Sequence, residues 1–415
     1  MMKNKIFKTM LVMLLILSVL AGFTACSKDG ADNAQDDGTT ADAGGVQNSS
    51  NKAKGFDMHK TIVSLDGKTV YKDVGFDDIS FVLLDESTNK EEVLFAIKDD
   101  SSISAANSEY AKMFLTSEKL YYTLYPPYEY FEVNTLYSYD FASKKTEKIM
   151  LSQCRENFHN LGVFYIDDTY IYYSGIKEEN LNNNILSTFK YNIKTGQVTE
   201  FLPDDAYVCF DRVYADSRPA YINDEYLTYY VSSDNYPETL YIYNFDDAKS
   251  YKIADNACFT HAEGGRIFYA TETSDSTEIY SCTLSGSDTK FEQRFDGLTG
   301  YLMTNCGGCG DFVYFDDGYI GNLKDGTYTE MDNDDLMFYY DKESIYAVFL
   351  EENAPAVYVW NLYDISDGVT NKKRITKSDA WYDLPSEARV KDEKLYYTEQ
   401  SDDRMTTELK IIPLK

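Results

Sequence analysis

The sequence predicts an all-β repeat protein, and three observations carry the prediction. An apolar-aromatic triplet recurs along the chain at a mean spacing of about 46 residues. Tyrosine fills 38 of 415 positions, and its ring suits half-buried strands because it packs while its hydroxyl reaches water or a partner. Short segments alternate apolar and polar residues between turn-forming clusters, which is the period of a pleated strand. Four short antiparallel strands in each 46-residue unit make the blade of a β-propeller, whereas leucine-rich and ankyrin units are shorter.

The triplets are Leu120-Tyr121-Tyr122, Ile171-Tyr172-Tyr173, Leu227-Thr228-Tyr229, Ile267-Phe268-Tyr269, Phe312-Val313-Tyr314, Ile345-Tyr346-Ala347 and Leu395-Tyr396-Tyr397. Before each lies a first strand, such as Val163 to Ile166, closed by a polar turn such as Asp167-Asp168. After it comes a third strand, as in Leu136 to Tyr139, Leu240 to Tyr243 or Ile279 to Cys282. Turns such as Lys194-Thr195-Gly196 and Asp325-Gly326 then lead into a fourth strand, as in Val198 to Leu202. Residues 69–100 hold one more degenerate unit, and the last unit stops after its third strand, Glu408 to Leu414. The alternating segment Lys60 to Leu65 is expected to supply the missing outer strand and so close the ring. Dividing the length after residue 55 by the pitch favours eight blades over seven.

The N-terminus has an address. Lys3, Lys5 and Lys8 precede an apolar run from Met10 to Phe23, too short to cross a bilayer and normal for a signal-peptide core. Phe23-Thr24-Ala25-Cys26 resembles the lipobox of bacterial lipoproteins, with Phe in place of the usual Leu. That resemblance implies cleavage after residue 25, lipid on Cys26 and an anchor on the extracellular face of the cell membrane. Ser27 to Gly55 is rich in Ser, Asp, Asn, Ala, Gly and Thr, and is expected to be a disordered tether. The three segments are then 1–25 signal, 26–55 lipidated linker and 56–415 propeller.

Charge narrows the partners. The formal net charge is −30, becoming −33 once Lys3, Lys5 and Lys8 leave with the signal, so phosphate backbones are repelled and nucleic-acid binding is excluded.

Leu395-Tyr396-Tyr397-Thr398-Glu399, Leu120-Tyr121-Tyr122-Thr123 and Ile171-Tyr172-Tyr173-Ser174 look like degenerate YWTD motifs. Residues 56–415 as a whole resemble the tyrosine-rich, YWTD-like propeller lipoproteins of Gram-positive bacteria, a family without an assigned function. Trp is absent from every triplet, and the resemblance implies a fold and brings no catalytic residues.

Loops on the face shared by the second-to-third and inter-blade connections hold the candidate ligand-binding residues Tyr125, Tyr128, Tyr130, His159, Tyr236, Trp381 and Tyr382. Aromatic rings among Asp and Asn suit a saccharide or peptide, since rings stack on apolar faces while carboxylates and amides hydrogen-bond. The same rings also suit packing over blade ends. Paired acids at Asp77-Asp78, Asp167-Asp168, Asp224-Glu225 and Asp392-Glu393 read as turn-formers rather than calcium ligands. The run from Asp332 to Asp335 lacks the Gly and distal Glu of an EF-hand loop. Cys154, Cys209, Cys258 and Cys306 fall near successive inter-blade connections, where neighbours could staple adjacent blades. Cys306-Gly307-Gly308-Cys309 has redox or zinc spacing without the βαβ context or second ligand pair either needs. No cofactor, metal or catalytic set is assigned. The expected function is a non-catalytic surface lipoprotein binding an extracellular saccharide, peptide or protein through its loop-rich face. A carboxylate-based glycan hydrolase or lyase, and a structural subunit of a membrane-associated complex, are the alternatives.

Overall fold

A computed structural model describes 32 strands between Asp57 and Pro413 with the turns that join them. Residues 1–56, 60, 76–77, 99–102, 105–110, 126–134, 152–161, 177–185, 204–205, 209–221, 224, 232–238, 300–305, 316–318, 331–336, 342–343, 355–356, 366–372, 378–388, 401–406 and 415 lie outside the described residues. Those outside include residues 1–55, where the signal, the lipidated Cys26 and the linker are expected.

The strands fall into eight consecutive antiparallel sheets. β1 (Asp57–His59) stands before them, and sheet one is β2 (Ile62–Leu65), β3 (Lys68–Val74), β4 (Asp78–Asp85) and β5 (Lys90–Lys98). Sheet two is β6 (Met113–Leu115), β7 (Lys119–Tyr122), β8 (Thr135–Asp140) and β9 (Lys145–Met150), and sheet three is β10 (Val163–Ile166), β11 (Tyr170–Ile176), β12 (Leu186–Asn192) and β13 (Val198–Glu200). Sheet four is β14 (Ala206–Tyr207), β15 (Tyr226–Val231), β16 (Thr239–Asn244) and β17 (Lys249–Asp255), and sheet five is β18 (Ala257–Glu263), β19 (Arg266–Glu272), β20 (Ser276–Thr283) and β21 (Lys290–Asp296). Sheet six is β22 (Cys306–Cys309), β23 (Phe312–Phe315), β24 (Tyr319–Asn322) and β25 (Tyr328–Glu330). Sheet seven is β26 (Met337–Asp341), β27 (Ser344–Ala354), β28 (Val357–Asp364) and β29 (Lys373–Lys377), and sheet eight is β30 (Arg389–Lys391), β31 (Lys394–Gln400) and β32 (Thr407–Pro413).

Burial grades across each sheet. First strands β6 and β10 are buried along their whole length; in third strands burial largely alternates, as in β8; fourth strands such as β9 are exposed. A strand covered on both faces needs a continuous apolar run, and one covered on a single face needs alternation, so the sequence of each strand sets its rank in the sheet. The tyrosines follow the same logic. In four successive sheets the last residue of the triplet stacks on the aromatic directly opposite it on the third strand. Ring centroids are 5.4 Å apart for Tyr122–Tyr137, 5.5 Å for Tyr173–Phe189, 5.3 Å for Tyr229–Tyr241 and 5.8 Å for Tyr269–Tyr280. Such cross-strand pairs contribute roughly 0.2–1 kcal/mol each.

The core lies between sheets rather than in one centre. Val63, Ile79 and Phe81 of sheet one pack with Met113, Leu120 and Tyr122 of sheet two, and similar layers join two to three, three to four, four to five and five to six. At the far end Tyr396, Leu409 and Ile411 of sheet eight pack on Ile62, Tyr71 and Val82 of sheet one.

The N-terminus behaves differently from expectation. Ile62–Leu65 does not supply an outer strand to the last unit; it is the first strand of sheet one, paired with β3, and sheet eight has three strands among the described residues. Ile62 and Val63 are both fully buried, which fits an inner strand and not an exposed outer edge. β1 instead pairs antiparallel with β6, Met58 opposite Phe114, as a fifth strand of sheet two.

Candidate functional site

Two places gather polar groups inside this apolar frame. The first is on β18, where the pairing with β19 slips between Phe259 and His261. A bulge of this kind re-aims the side chains beside it. Here it leaves Thr260 and His261 both inside, with Thr260 Oγ1 3.1 Å from His261 Nδ1. The imidazole lies flat on Phe268 at a centroid distance of 4.4 Å. The ring also meets β22, where a Cβ on Gly308 would stand 2.4 Å from Nδ1. Gly308 is therefore glycine to admit the ring, as Gly307 is for Tyr314, whose ring would lie 2.2 Å from an added Cβ. Nε2 is buried without a hydrogen-bond partner. Burial disfavours the imidazolium and lowers His261 to about 4, so the ring is neutral at pH 7.

On the same two strands the thiols of Cys258 and Cys306 are buried and unoxidised. Both point to one acceptor, the Phe259 carbonyl oxygen, at 3.7 Å and 3.4 Å. Cys282, on β20, is also a buried thiol, and burial pushes it up to about 11. The redox or zinc spacing of Cys306-Gly307-Gly308-Cys309 is thus part of a strand whose glycines serve ring packing. Among the described residues no three His, Cys, Asp or Glu side chains group as metal ligands.

The second place is the seam between sheets one and eight. Asp57, at 6% exposure, takes a two-pronged grip from Arg389, Nη1 to Oδ2 at 2.7 Å and Nη2 to Oδ1 at 2.8 Å. Lys391 Nζ adds an ion pair at 3.0 Å, and the Ser64 N–H donates to the same carboxylate. Arg389 also donates to the Ile62 carbonyl at 2.9 Å. Burial alone would raise the Asp57 carboxyl; the Arg389 charge and hydrogen bonds, with Lys391 and Ser64, outweigh it and hold the group below the usual carboxylate range. Glu86 makes a parallel contact, accepting from Lys394 Nζ, from Thr69 Oγ1 at 2.6 Å and from Tyr396 OH at 3.3 Å.

Of the sequence-derived ligand candidates, Tyr125 is described and lies inside, 4% exposed against Ala111. Tyr128, Tyr130, His159, Tyr236, Trp381 and Tyr382 lie outside the described residues, as do Cys154, Cys209 and Asp332 to Asp335. Asp167 is a turn-former: Oδ1 accepts from the Thr169 and Tyr170 N–H groups, both at 2.6 Å, and Oδ2 from Tyr172 OH at 2.9 Å. Asp392 and Glu393 both have positive φ, 50° and 60°, in the β30–β31 turn, as a two-residue hairpin requires. Asp78 begins a third strand rather than preceding a second one. Sequence reasoning missed the His261 niche and the Asp57 clasp. The Gly-Gly pair within an otherwise strand-like segment was the available signal for the first; nothing local signals the second, whose partners are 332 residues apart.

No family model matches the chain, and no curated protein does. Solved structures resemble it in fold. A prolyl endopeptidase structure matches 86% of this chain at 12% identity and a TM-score of 0.48. The β-propeller domain of the Trilobed protease from Pyrococcus furiosus matches 88% of this chain and 96% of its own at 14% identity and a TM-score of 0.42. Dipeptidyl peptidase 4 of Porphyromonas gingivalis matches 83% of this chain and 63% of its own at 10% identity and a TM-score of 0.41. The chain spans about half, 54%, of the prolyl endopeptidase chain. Likeness at this level concerns the fold and carries nothing about activity. The expectation of a non-catalytic propeller that binds through its loop-rich face is corrected: the solved structures it resembles, mainly peptidase propellers, share the fold alone, and a binding role is not shown. The one described candidate on that face, Tyr125, is buried in packing.

Proposed function

We propose that the protein is a lipoprotein held on the extracellular face of the membrane through Cys26, and that its eight sheets form an eight-bladed ring serving as a structural module of a membrane-associated assembly. The lipobox-like segment and the linker support the anchor, and the packing of sheet eight on sheet one supports the ring. The observation that carries the assembly role is where large apolar side chains meet water. Val93, Met150, Phe291 and Tyr328, 60%, 53%, 55% and 40% exposed, all lie on fourth strands. They come as two pairs on neighbouring sheets. Lys144, in the turn leading into the strand that bears Met150, lies 2.6 Å from Glu92, next to Val93, and Tyr328 OH donates at 3.3 Å to the carbonyl of Asp296, the last residue of the strand bearing Phe291. Apolar groups of this kind on a rim suit a protein partner more than a small ligand.

The test uses the full-length chain expressed in a bacterium that processes lipoproteins. Labelled fatty acid is expected on the wild type and absent from Cys26→Ala. Cross-linking on intact cells is expected to join the protein to a partner, with yield falling about tenfold in Phe291→Ser/Tyr328→Ser at unchanged Tm. Equal yields from both forms would rule the rim out.

A further inference from the structure

We infer that Cys258 and Cys306 are a disulfide pair that joins the inner strands of sheets five and six when the protein folds in contact with a thiol-oxidising agent. The two residues belong to neighbouring first strands, β18 and β22, which pack side by side. Both lie in one buried cluster with Ala270, Ile279, Phe295 and Val313, at 1% and 4% exposure. Their sulfurs approach a single oxygen atom, the Phe259 carbonyl, at 3.7 Å and 3.4 Å. Two atoms that close to a common third are at most about 7 Å apart, and rotation about Cα–Cβ is the movement by which they would meet. Gly308 lies two residues after Cys306, and the absence of a Cβ there lets β22 lie close to His261 of β18. Cys282 provides the contrast, since it is as buried as Cys258 but packs in a different cluster with Tyr226, Ile242 and Tyr269.

The chemistry is thiol–disulfide exchange with an external disulfide. The thiolate of one cysteine, having lost its proton to water, attacks a sulfur of the oxidant, and the oxidant's other half leaves as a thiolate that takes up a proton. The second cysteine's thiolate then attacks the mixed disulfide, forming the Cys258–Cys306 bond and expelling the remaining half as a second thiol. Two protein thiols are oxidised and one external disulfide is reduced. Because both sulfurs are buried in the finished fold, the exchange belongs to folding, before β18 and β22 close over them.

The experiment takes the full-length chain in detergent, unfolds it, refolds it in a glutathione/glutathione-disulfide couple, then unfolds it again, alkylates it and digests it. The expected result is one cross-linked peptide pair containing Cys258 and Cys306, about 2 Da lighter than the sum of its halves, with Cys282 alkylated. Cys306→Ser is expected to return Cys258 to the alkylated pool, and Cys282→Ser to leave the cross-link intact. Alkylation of Cys258 and Cys306 to the same extent as Cys282 would overturn the inference, as would a cross-link joining either of them to another cysteine. The wild-type measurement stands even if a serine variant fails to fold.

Discussion

Acidification tests the His261 niche directly. The imidazole is 7% exposed and burial lowers it to about 4, whereas in the unfolded chain it titrates near 6.5. Between those values the unfolded state binds a proton that the folded state refuses, so stability falls as pH drops through 6.5 towards 4 and is unaffected above that range. At pH 5 the difference between the two binding curves is worth about 2 kcal/mol, and below both values it approaches about 3.4 kcal/mol at 1.36 kcal/mol per unit. His261→Gln keeps a polar side chain and cannot take the proton. Urea unfolding followed by circular dichroism at pH 7 and pH 5 is the assay, with the loss on acidification as the readout. Wild type is expected to lose about 2 kcal/mol more than the variant. His59 and His159, the other histidines, remain in both proteins and cancel. Equal losses in the two proteins would refute the account, because the niche would then accept a proton as readily as water does.

Three further outcomes follow from the same geometry. Arg389→Met leaves the Asp57 carboxylate buried with half its partners and is expected to cost about 3 kcal/mol, a fall of roughly 4 °C in the Tm of a chain this long; a change under 1 °C in calorimetry would show the clasp to be dispensable. Because the Asp57 carboxyl sits low in the fold, its contribution is present above the ordinary carboxylate value and is lost as pH drops below about 4, so Asp57→Asn is expected to flatten that acid limb of a Tm–pH profile. Gly308→Ala places a methyl group 2.4 Å from His261 Nδ1 and 2.9 Å from the Phe312 carbonyl oxygen, an overpacking cost of roughly 1–3 kcal/mol readable in urea unfolding.

Much of the architecture was legible because each strand's environment is written in its own residues. The third strands from Leu136, Leu240 and Ile279 alternate as single-sided strands must, and the structure places them third. Lys60 to Leu65 reads as an outer strand because its Thr, Val and Leu alternate, but so short a segment cannot by itself tell one covered face from two. Turn chemistry was local and therefore readable: the Asp167 side chain caps its own hairpin. The polar interior was not. Asp57 and Arg389 become partners only when the first and last sheets meet, and a lone Asp in a polar N-terminal stretch looks the same whether it faces water or a buried guanidinium. His261 carries no mark of its own in the sequence, since the bulge that turns it inward depends on strand pairing and not on composition.

The seam between the ends of the chain also constrains how the molecule is made. Sheets three to seven can each form from a contiguous stretch of polypeptide, with nearest neighbours docking as they appear. β1 and sheet one cannot finish their packing until residues 389–412 exist, because the carboxylates at Asp57 and Glu86 await Arg389 and Lys394. Bringing together groups 332 residues apart costs about 5 kcal/mol of chain entropy if nothing between them is ordered, and far less once the intervening sheets have stacked. Folding therefore favours an order in which the middle of the chain condenses first and the two termini meet last. Until that meeting, Ile62, Tyr71 and Val82 present an uncovered apolar sheet face, the surface through which a half-made molecule would associate with its neighbours.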